Sequence, residues 1–444
     1  MSERLVEHAT CTFCGCVCDD MDLTVDDENH RITKAKNACV LGKAWFAEHT
    51  IEDRPFALID GKPATTAEGV EAAARILANA RMPIIYGLSD TTCEAQRQAV
   101  AVADLIHGNV DTTTSVCHGP SGIAFQGIGE STATLGEIKN RADLVVYWGG
   151  NPAESHPRHF TRYAVTPKGM YIPNGRKDRT VIMVDVRRTP STPVADIFLQ
   201  VKPSSDFELA WALRALVKGR KLDPSVAEKT GIPLAQMENV AQRMKNCRYG
   251  VLFFGMGLTM TRGRHFNSGA VLALATDLNE YTHFVAKPVR GHGNVTGADN
   301  VVSWQTGYPF GVNFSRGYPR FNPGEFTTVD LLARGEADAA MFIATDPGSN
   351  FPKAAIEHMK KIPVIALDTK ATDTTQLAKV AFTTATYGIN TGGTVYRMDD
   401  VPISLRPAFP SPYPGDEEIL TAIKKRVAEL LAEKRGDRVV KQAA

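Results

Sequence analysis

The sequence contains no apolar run of the roughly 18–20 residues that a membrane-spanning helix requires. It also carries almost no net charge, because 50 Lys and Arg residues face 49 Asp and Glu residues, for a formal charge of +1. That balance gives no reason to expect a nucleic-acid or membrane partner. The stretch Met1–Thr10 is polar and charged and does not resemble a signal peptide, so we expect a cytoplasmic protein.

Two sequence features of other protein classes are also missing. No G-x-G-x-x-G motif follows the first predicted strand, so a Rossmann-type NAD site is not supported. No internal repeat or low-complexity segment is evident. What remains is ordinary for a soluble globular protein, with 43% hydrophobic and 22% charged residues. A length of 444 residues indicates two to four domains.

Short apolar runs alternate with helical patterns along most of the chain, which predicts an α/β fold with parallel sheets covered on both faces. The predicted strands are Pro83–Gly87, Leu144–Trp148, Thr180–Asp185, Gly250–Phe254, Ala339–Ala344 and Pro363–Asp368. The predicted helices between them are Ala67–Ala80, Glu94–His107, Phe207–Val217, Ser225–Lys245 and Ser268–Leu278. The stretch Ser303–Gly324, rich in Gly and Pro, is predicted to be one long loop.

Several predicted strands end in glycine and polar residues. In parallel sheets the carboxyl ends of the strands form the ligand-binding edge. Glycine lets backbone N–H groups approach phosphate closely, so these ends suit a large phosphate-containing ligand. The alternative is that each glycine only turns the chain. The strand ends concerned are Gly149-Gly150-Asn151, Arg187-Arg188-Thr189, Gly255-Met256-Gly257 and Asp346-Pro347-Gly348.

The cysteines are clustered, with four of the eight falling within eight residues, which favours metal binding over disulfides. Cys11-x2-Cys14-x3-Cys18 and the distant Cys39 supply four thiolates, the soft ligands that a cubane iron–sulfur cluster needs. A structural zinc site with four cysteines is the alternative. Cys16 is a spare thiol in this scheme, and a ligand swap with Cys14 or Cys18 stays open.

The cysteine pattern resembles the opening of the molybdopterin formate dehydrogenase superfamily. Further segments, spread from Cys11 to Ile403, are similar to the catalytic redox subunit, the B subunit, of formylmethanofuran dehydrogenase. These segments are CTFCGCVCDD, KNACVLGKAWF, TSVCHGPSG, EIKNRADLVVYWGGNP, HPRH, FFGMG, PVRGHGNVTG, TGYPF, PRFNPGE, ATDPGSNFP and GGTVYRMDDVPI. The resemblance implies a multi-domain formate dehydrogenase-like fold. It also implies that the fold lacks the C-terminal β-barrel cap, because the chain ends roughly forty residues after the last matching segment.

The resemblance also implies a division into domains. Residues 1–57 would form an iron–sulfur module. Residues 58–134 together with 330–410 would form an α/β domain around the metal site. Residues 135–329 would form an α/β domain that binds a pterin guanine dinucleotide, and residues 411–444 a C-terminal helix.

Three residues acquire chemical roles from the resemblance. Cys117 matches the protein ligand of a tungsten or molybdenum ion that is also bound by two molybdopterin guanine dinucleotides. His118 would relay protons beside that metal, and Arg290 would orient CO2 or formate. Without the resemblance, Cys117 is interpreted as a buried, inert thiol and Arg290 as part of a structural salt bridge.

The cofactor-binding loops of the superfamily are matched less closely than the metal ligands. Asp185 would accept hydrogen bonds from the guanine base. The complete predicted set is Gly149, Gly150, Asn151, Asp185, Arg187, Gly255, Gly257, Gly291, Asn294, Gly297 and Asp346.

Members of this family reduce CO2 to formate with electrons that arrive through a [4Fe–4S] cluster. The resemblance therefore implies obligate partners, which are an amidohydrolase-like subunit with a dinuclear zinc site, a β-barrel cap subunit, one further structural subunit and ferredoxin-like electron-delivery subunits. A non-redox scaffold subunit of a bacterial formyltransferase/hydrolase complex is the competing hypothesis. Retention of all the ligand cysteines favours the redox enzyme. A formate dehydrogenase that works without methanofuran is disfavoured by the family-specific segments.

Overall fold

The computed structural model describes residues 3–49 and 51–443. Within those ranges the strands form sheets of three, five, nine and two strands, and helices pack on the two larger sheets. The predicted α/β class with parallel sheets is confirmed. Among the described helices, none combines the length and the apolar character needed to cross a bilayer.

The N-terminal part is a three-stranded antiparallel sheet followed by a helix. In its central strand Met21, Leu23 and Val25 are buried while the residues between them are more exposed, as expected for a strand with one covered face. The register places Cys11 directly opposite Cys18. The elements are Glu3–Cys11, Cys18–Asp26, Arg31–Lys36 and the helix Val40–Glu48.

The five-stranded sheet is parallel throughout. Its central strand, Leu144–Trp148, is apolar along its whole length because both faces are covered, and successive side chains enter two different cores. In spatial order they are Ile197–Gln200, Thr180–Asp185, Leu144–Trp148, Tyr249–Phe254 and His283–Pro288. The helices of this part are Leu135–Arg141, Pro152–Ser155, Asp206–Val217, Ser225–Thr230, Leu234–Asn246, Met256–Thr259 and His265–Leu278.

The nine-stranded sheet has five parallel strands in its centre and antiparallel strands at both edges. In spatial order the strands are Arg320–Phe321, Val312–Asn313, Asn109–Thr112, Pro83–Gly87, Ala339–Ile343, Val364–Asp368, Val380–Thr383, Ala57–Ile59 and Lys62–Ala64. Its helices, and those beside it, are Thr66–Asn79, Cys93–Leu105, Gly119–Ile128, Val295–Thr306, Thr328–Ala333, Pro347–Asn350, Lys353–Met359, Asp373–Leu377 and Asp416–Ala443. A separate hairpin consists of Gly393–Tyr396 and Pro402–Leu405.

The chain returns to the nine-stranded sheet earlier than the predicted domain boundary at residue 329. The helix Val295–Thr306 packs on Cys93–Leu105, and the strands Val312–Asn313 and Arg320–Phe321 extend the sheet. We therefore propose that the domain with the five-stranded sheet ends near Pro288. The helix Asp416–Ala443 buries apolar side chains in the same core as the nine-stranded sheet.

Two predicted elements differ from the structure. The helix predicted over Ser225–Lys245 is two helices, because Gly231 ends the first in a left-handed conformation (φ 76°) and Pro233 precedes the second. The loop predicted over Ser303–Gly324 begins inside the helix that ends at Thr306, and it contains two short strands.

Candidate functional site

The predicted cluster ligands line one cavity in the N-terminal part of the protein. Cys11 and Cys18 face each other across the hairpin, and Cys14 lies in its turn. Cys39 caps the helix Val40–Glu48, and its thiol accepts a hydrogen bond from the Gly42 N–H at 3.5 Å. The fifth thiol, Cys16, lines the same cavity.

Burial dominates the electrostatics of these thiols. It raises the pKa of Cys11 well above its usual value and that of Cys18 to about 11. A hydrogen bond from Cys16 lowers the pKa of Cys14. Holding several thiolates this close together, out of water, requires a cationic partner. Within residues 3–49 and 51–443, no three His, Cys, Asp or Glu side chains converge on one metal position.

Two arginines flank the Cys18 side of the cavity. Arg158 pairs with both carboxylate oxygens of Asp20, at 2.5 and 2.6 Å, and Arg162 donates to Asp19 at 2.6 Å. Both guanidinium groups oppose the burial-induced rise in the pKa of Cys18. Their positive charge would stabilise an anionic group held by the thiolates.

Cys117 and Arg290, predicted to act together, are brought together by the fold. Cys117 ends a short 3-10 helix, Thr113–Val116, that follows the strand Asn109–Thr112. Burial raises the pKa of Cys117 to about 11, while Arg290 and the Gly291 N–H, which faces the thiol, favour the thiolate. A soft metal ion at this thiol would complete its ionisation.

Arg290 is held by a carboxylate that the sequence analysis missed. Its guanidinium forms an ion pair with Asp299 and donates to the Thr114 hydroxyl at 3.4 Å. Asp299 also accepts from the hydroxyls of Thr112 and Thr114, each at 2.9 Å. No sequence pattern marks Asp299, because it lies on the helix that follows Arg290. Its side chain reaches Arg290 only because of how that helix packs. This network fixes the position of Arg290 beside Cys117.

His118 is fully buried, and both of its ring nitrogens have partners. Nδ1 lies 3.2 Å from the Ser121 hydroxyl, and Nε2 lies 3.2 Å from the Val289 carbonyl oxygen. Burial, with the nearby positive charge of Arg290, lowers the pKa of His118 to about 3. The imidazole is therefore neutral, and its predicted proton-relay role stays a prediction.

A hydrogen bond connects the cysteine cavity to the Cys117 site. The Gly15 N–H, in the cysteine hairpin, donates to the Gly291 carbonyl oxygen at 3.0 Å. A Cβ atom on Gly15 would lie 2.3 Å from the Arg290 carbonyl oxygen, so the two segments touch backbone to backbone. The same segment, residues 290–291, faces Cys117, so both sites contact one backbone segment.

Other predicted residues of this segment have structural partners. The Asn294 side chain is buried, donates to the Thr91 carbonyl oxygen at 2.7 Å and accepts from the Tyr396 N–H at 2.7 Å. A Cβ atom on Gly297 would lie 2.1 Å from the Asn294 amide oxygen. Gly291 differs, because a Cβ atom there would meet nothing within 4 Å, so there is open space beside its Cα atom.

The glycines after two neighbouring strands allow their loops to pack closely. Gly149 has a φ of 60°, and the Gly257 N–H donates to its carbonyl oxygen at 2.9 Å. Cβ atoms on Gly255 and Gly257 would lie 2.5 and 2.8 Å from that oxygen, whereas Gly150 has ordinary contacts. At Gly149, Gly255 and Gly257, glycine is therefore required by loop packing, whatever the loops bind.

Replacing Gly149 with alanine is expected to lower stability. The new Cβ would lie 2.4 Å from the Leu258 nitrogen, in a left-handed conformation that alanine disfavours. We expect a loss of about 1–3 kcal/mol, seen as a thermal midpoint several degrees lower. The matched variant Gly127→Ala has no atom within 4 Å of the new Cβ and should not lower the midpoint. Equal midpoints for the two variants would contradict this account.

The structure reveals an internal repeat that the sequence analysis missed. Asn151 follows the strand Leu144–Trp148 and begins a short helix, and Asp346 does the same after Ala339–Ile343. Their backbone angles nearly coincide, with φ −123° and ψ 70° for Asn151 and φ −118° and ψ 70° for Asp346.

The repeat extends to the next strand of each sheet. Thr180–Asp185 and Val364–Asp368 each end in an aspartate that accepts from the N–H two residues later, at 3.3 and 3.4 Å. Six residues after each aspartate, Ser191 and Thr374 donate to Asn151 and Asp346, both at 2.6 Å. The motif D-x-(R/K)-x-T, present at both places, is the signal that could have revealed Asp368. Two equivalent strand-end sites follow, one in each large sheet.

Burial gives the two aspartates similar electrostatics. It raises the pKa of Asp185, and it raises that of Asp368 to about 7. A carboxylate in this situation gains from N–H donors such as those of a guanine base.

No family model matches the chain. The chain is 45% identical to the B subunit of tungsten-containing formylmethanofuran dehydrogenase 2 from Methanocaldococcus jannaschii, over 96% of this chain and 100% of that protein. It is 41% identical, with the same coverage, to the protein of that name from Methanococcus maripaludis. Among solved structures it is similar to a chain of the formyltransferase/hydrolase complex from Methylorubrum extorquens. That likeness has a TM-score of 0.67 and 23% identity, and it covers 84% of this chain and 99% of that one.

Proposed function

The chain belongs to the family of B subunits of tungsten-containing formylmethanofuran dehydrogenase, and we propose that it interconverts CO2 and formate at a tungsten–pterin centre. The observation that carries this proposal is that Cys117 lies close to Arg290. The backbone segment that contains Arg290 is also hydrogen-bonded to Gly15 in the cysteine hairpin. A metal-ligating thiol, an anion-binding guanidinium and an electron-carrying cluster would thus be adjacent.

The cysteine cavity is proposed to hold a [4Fe–4S] cluster on Cys11, Cys14, Cys18 and Cys39. Support comes from the spacing of the thiols around a cavity and from the arginines beside Cys18. Such a cluster would deliver electrons one at a time to the neighbouring site.

The pterin cofactor is proposed to be two molybdopterin guanine dinucleotides, one for each half of the internal repeat. Asp185 and Asp368 would each bind a guanine base. The remaining predicted residues follow the carboxyl ends of parallel strands in the two larger sheets, and they are Gly149, Gly150, Asn151, Arg187, Gly255, Gly257, Gly291 and Asp346. Asn294 and Gly297 would support this edge through their contacts within the fold.

When bound, the metal–pterin group supplies two-electron transfer to the substrate carbon. Cys117 would hold it through a thiolate that the Gly291 N–H stabilises. Arg290, fixed by Asp299 and Thr114, would hold the carboxylate of formate and balance its charge. The buried, neutral His118 keeps the wall of the site in position through Val289 and Ser121.

The chain is proposed to work within a complex, because its relatives are named as subunits of one. The proposed partners are the amidohydrolase-like subunit with a dinuclear zinc site, the β-barrel cap subunit, one further structural subunit and ferredoxin-like subunits. The proposed compartment is the cytoplasm. The division into an iron–sulfur module, two α/β domains and a C-terminal helix also stands as a proposal.

Elemental analysis of the anaerobically purified complex tests this function. We expect about one tungsten and about four iron atoms per chain assignable to this subunit, together with formate-dependent reduction of a viologen dye. A complex that lacks tungsten, molybdenum and iron, yet hydrolyses a formylated carrier, would instead make this chain a scaffold.

A further inference from the structure

A second cavity opens beside Arg290. It lies between the helices Gly119–Ile128 and Val295–Thr306, and the end of the strand His283–Pro288 forms its floor. Its polar lining consists mainly of Glu130, Lys287, Arg290, Thr296, Asp299 and Asn300. The cavity therefore joins the proposed substrate-binding arginine to Glu130 and Lys287, two ionisable side chains that have no role in the proposed function.

Glu130 is the acidic group of this cavity with an unsatisfied oxygen. It follows the helix Gly119–Ile128, and its Oε1 is shielded from solvent without a hydrogen-bond partner among the described residues. The Thr296 hydroxyl, also shielded, lacks a partner among them as well. Unsatisfied polar atoms of this kind, aimed into one cavity, indicate a place where a proton or a polar ligand is exchanged.

The charges around Glu130 come from three directions. Lys287 lies on the neighbouring strand and is almost fully buried, with its ammonium group 3.2 Å from the Met398 carbonyl oxygen and 3.9 Å from Asp400. Burial raises the pKa of Glu130 to about 7. The positive charges of Lys287 and Arg290 oppose this rise, and the negative charge of Asp400 adds to it. Two further carboxylates line the cavity: Asp299, which is ion-paired with Arg290, and Asp400, which lies near Lys287.

We propose that Glu130 is the proton-relay residue that gives a proton to the Arg290 site during CO2 reduction and takes one back during formate oxidation. This inference rests on the proposed function. Reduction consumes two electrons, from a ferredoxin-class donor, and one proton. The proton and the electron pair form the new C–H bond, and one C=O pair moves onto oxygen as the carboxylate charge. Glu130 changes from carboxylic acid to carboxylate and regains its proton from solvent.

The pH dependence of the complex tests this role. In wild type, CO2 reduction should slow and formate oxidation should speed up as the pH rises through about 7, because reduction needs Glu130 protonated and oxidation needs it ionised. Glu130→Gln should lower both rates roughly 10²-fold and remove that inflection. Glu130→Asp should restore part of the rate with a shifted inflection. Glu137→Gln, on a partly exposed helix position, should leave the profile unchanged.

Difference infrared spectra give a readout that does not depend on turnover. Subtracting Glu130→Gln from wild type should show one carboxylic acid C=O band that disappears as the pH is raised through about 7. A Glu130→Gln complex with the wild-type pH profile, or spectra without that band, would overturn the proposal. A wild-type complex with normal cofactors but no formate or CO2 activity would instead overturn the proposed function.

Discussion

Replacing Cys117 with serine is expected to abolish formate oxidation by the complex. Serine keeps the size of the side chain, and the Cys117 N–H can still donate to the Thr114 carbonyl oxygen, so the loop should keep its shape. The hydroxyl, however, is a hard ligand that does not ionise readily, and tungsten in such sites prefers thiolate. The loss should exceed the roughly 10–100-fold that changes to outer-shell groups produce.

The measurement for Cys117→Ser is dye reduction with formate, combined with tungsten and iron content per chain. Iron should stay at the wild-type level, because Cys117 lies outside the cysteine cavity. Cys247→Ser is the matched control, since that thiol donates to the Met244 carbonyl oxygen of the preceding helix, just before the strand Tyr249–Phe254. A Cys117→Ser complex with wild-type activity would remove Cys117 from the site.

Replacing Cys18 with serine is expected to prevent the iron–sulfur cluster from binding and to abolish electron transfer from the reductant to the complex. Cys18 faces Cys11 across the hairpin and is the thiol next to Arg158. Its replacement would therefore remove one of the four proposed ligands of the cluster. Because a cubane needs four protein ligands, iron assignable to this chain should fall from about four toward zero.

Cys16→Ser tests whether the cluster is bound by the predicted ligands or by a set in which Cys16 replaces Cys14 or Cys18. Cys16 lines the same cavity and donates to Cys14, so the cavity alone leaves the ligand swap open. We expect Cys16→Ser to keep its iron, with Cys247→Ser again as the control. Loss of iron in Cys16→Ser but not in Cys18→Ser would show that Cys16 is the ligand.

The strands of the sheet centres were predictable because burial on both faces makes them continuously apolar. Leu144–Trp148 and Thr180–Asp185 begin and end where the sequence predicts. The strand His283–Pro288 is missed, because Lys287 interrupts its apolar pattern with a charge that only the tertiary structure accommodates. Short outer strands such as Ala57–Ile59 and the edge strand Lys62–Ala64 are missed because three residues are too few to show a period.

The alternation of strands and helices, the spacing of the four cysteines and the family can all be inferred from the sequence. These are local or collinear properties, since ligand spacing in a loop and apolar periodicity both lie within a few consecutive residues. Three contacts, by contrast, depend on the fold: Asp299 holds Arg290, Gly15 touches Gly291, and Glu130 shares a cavity with Lys287. These groups come from separate segments, and burial, which sets their protonation, exists only after those segments pack together.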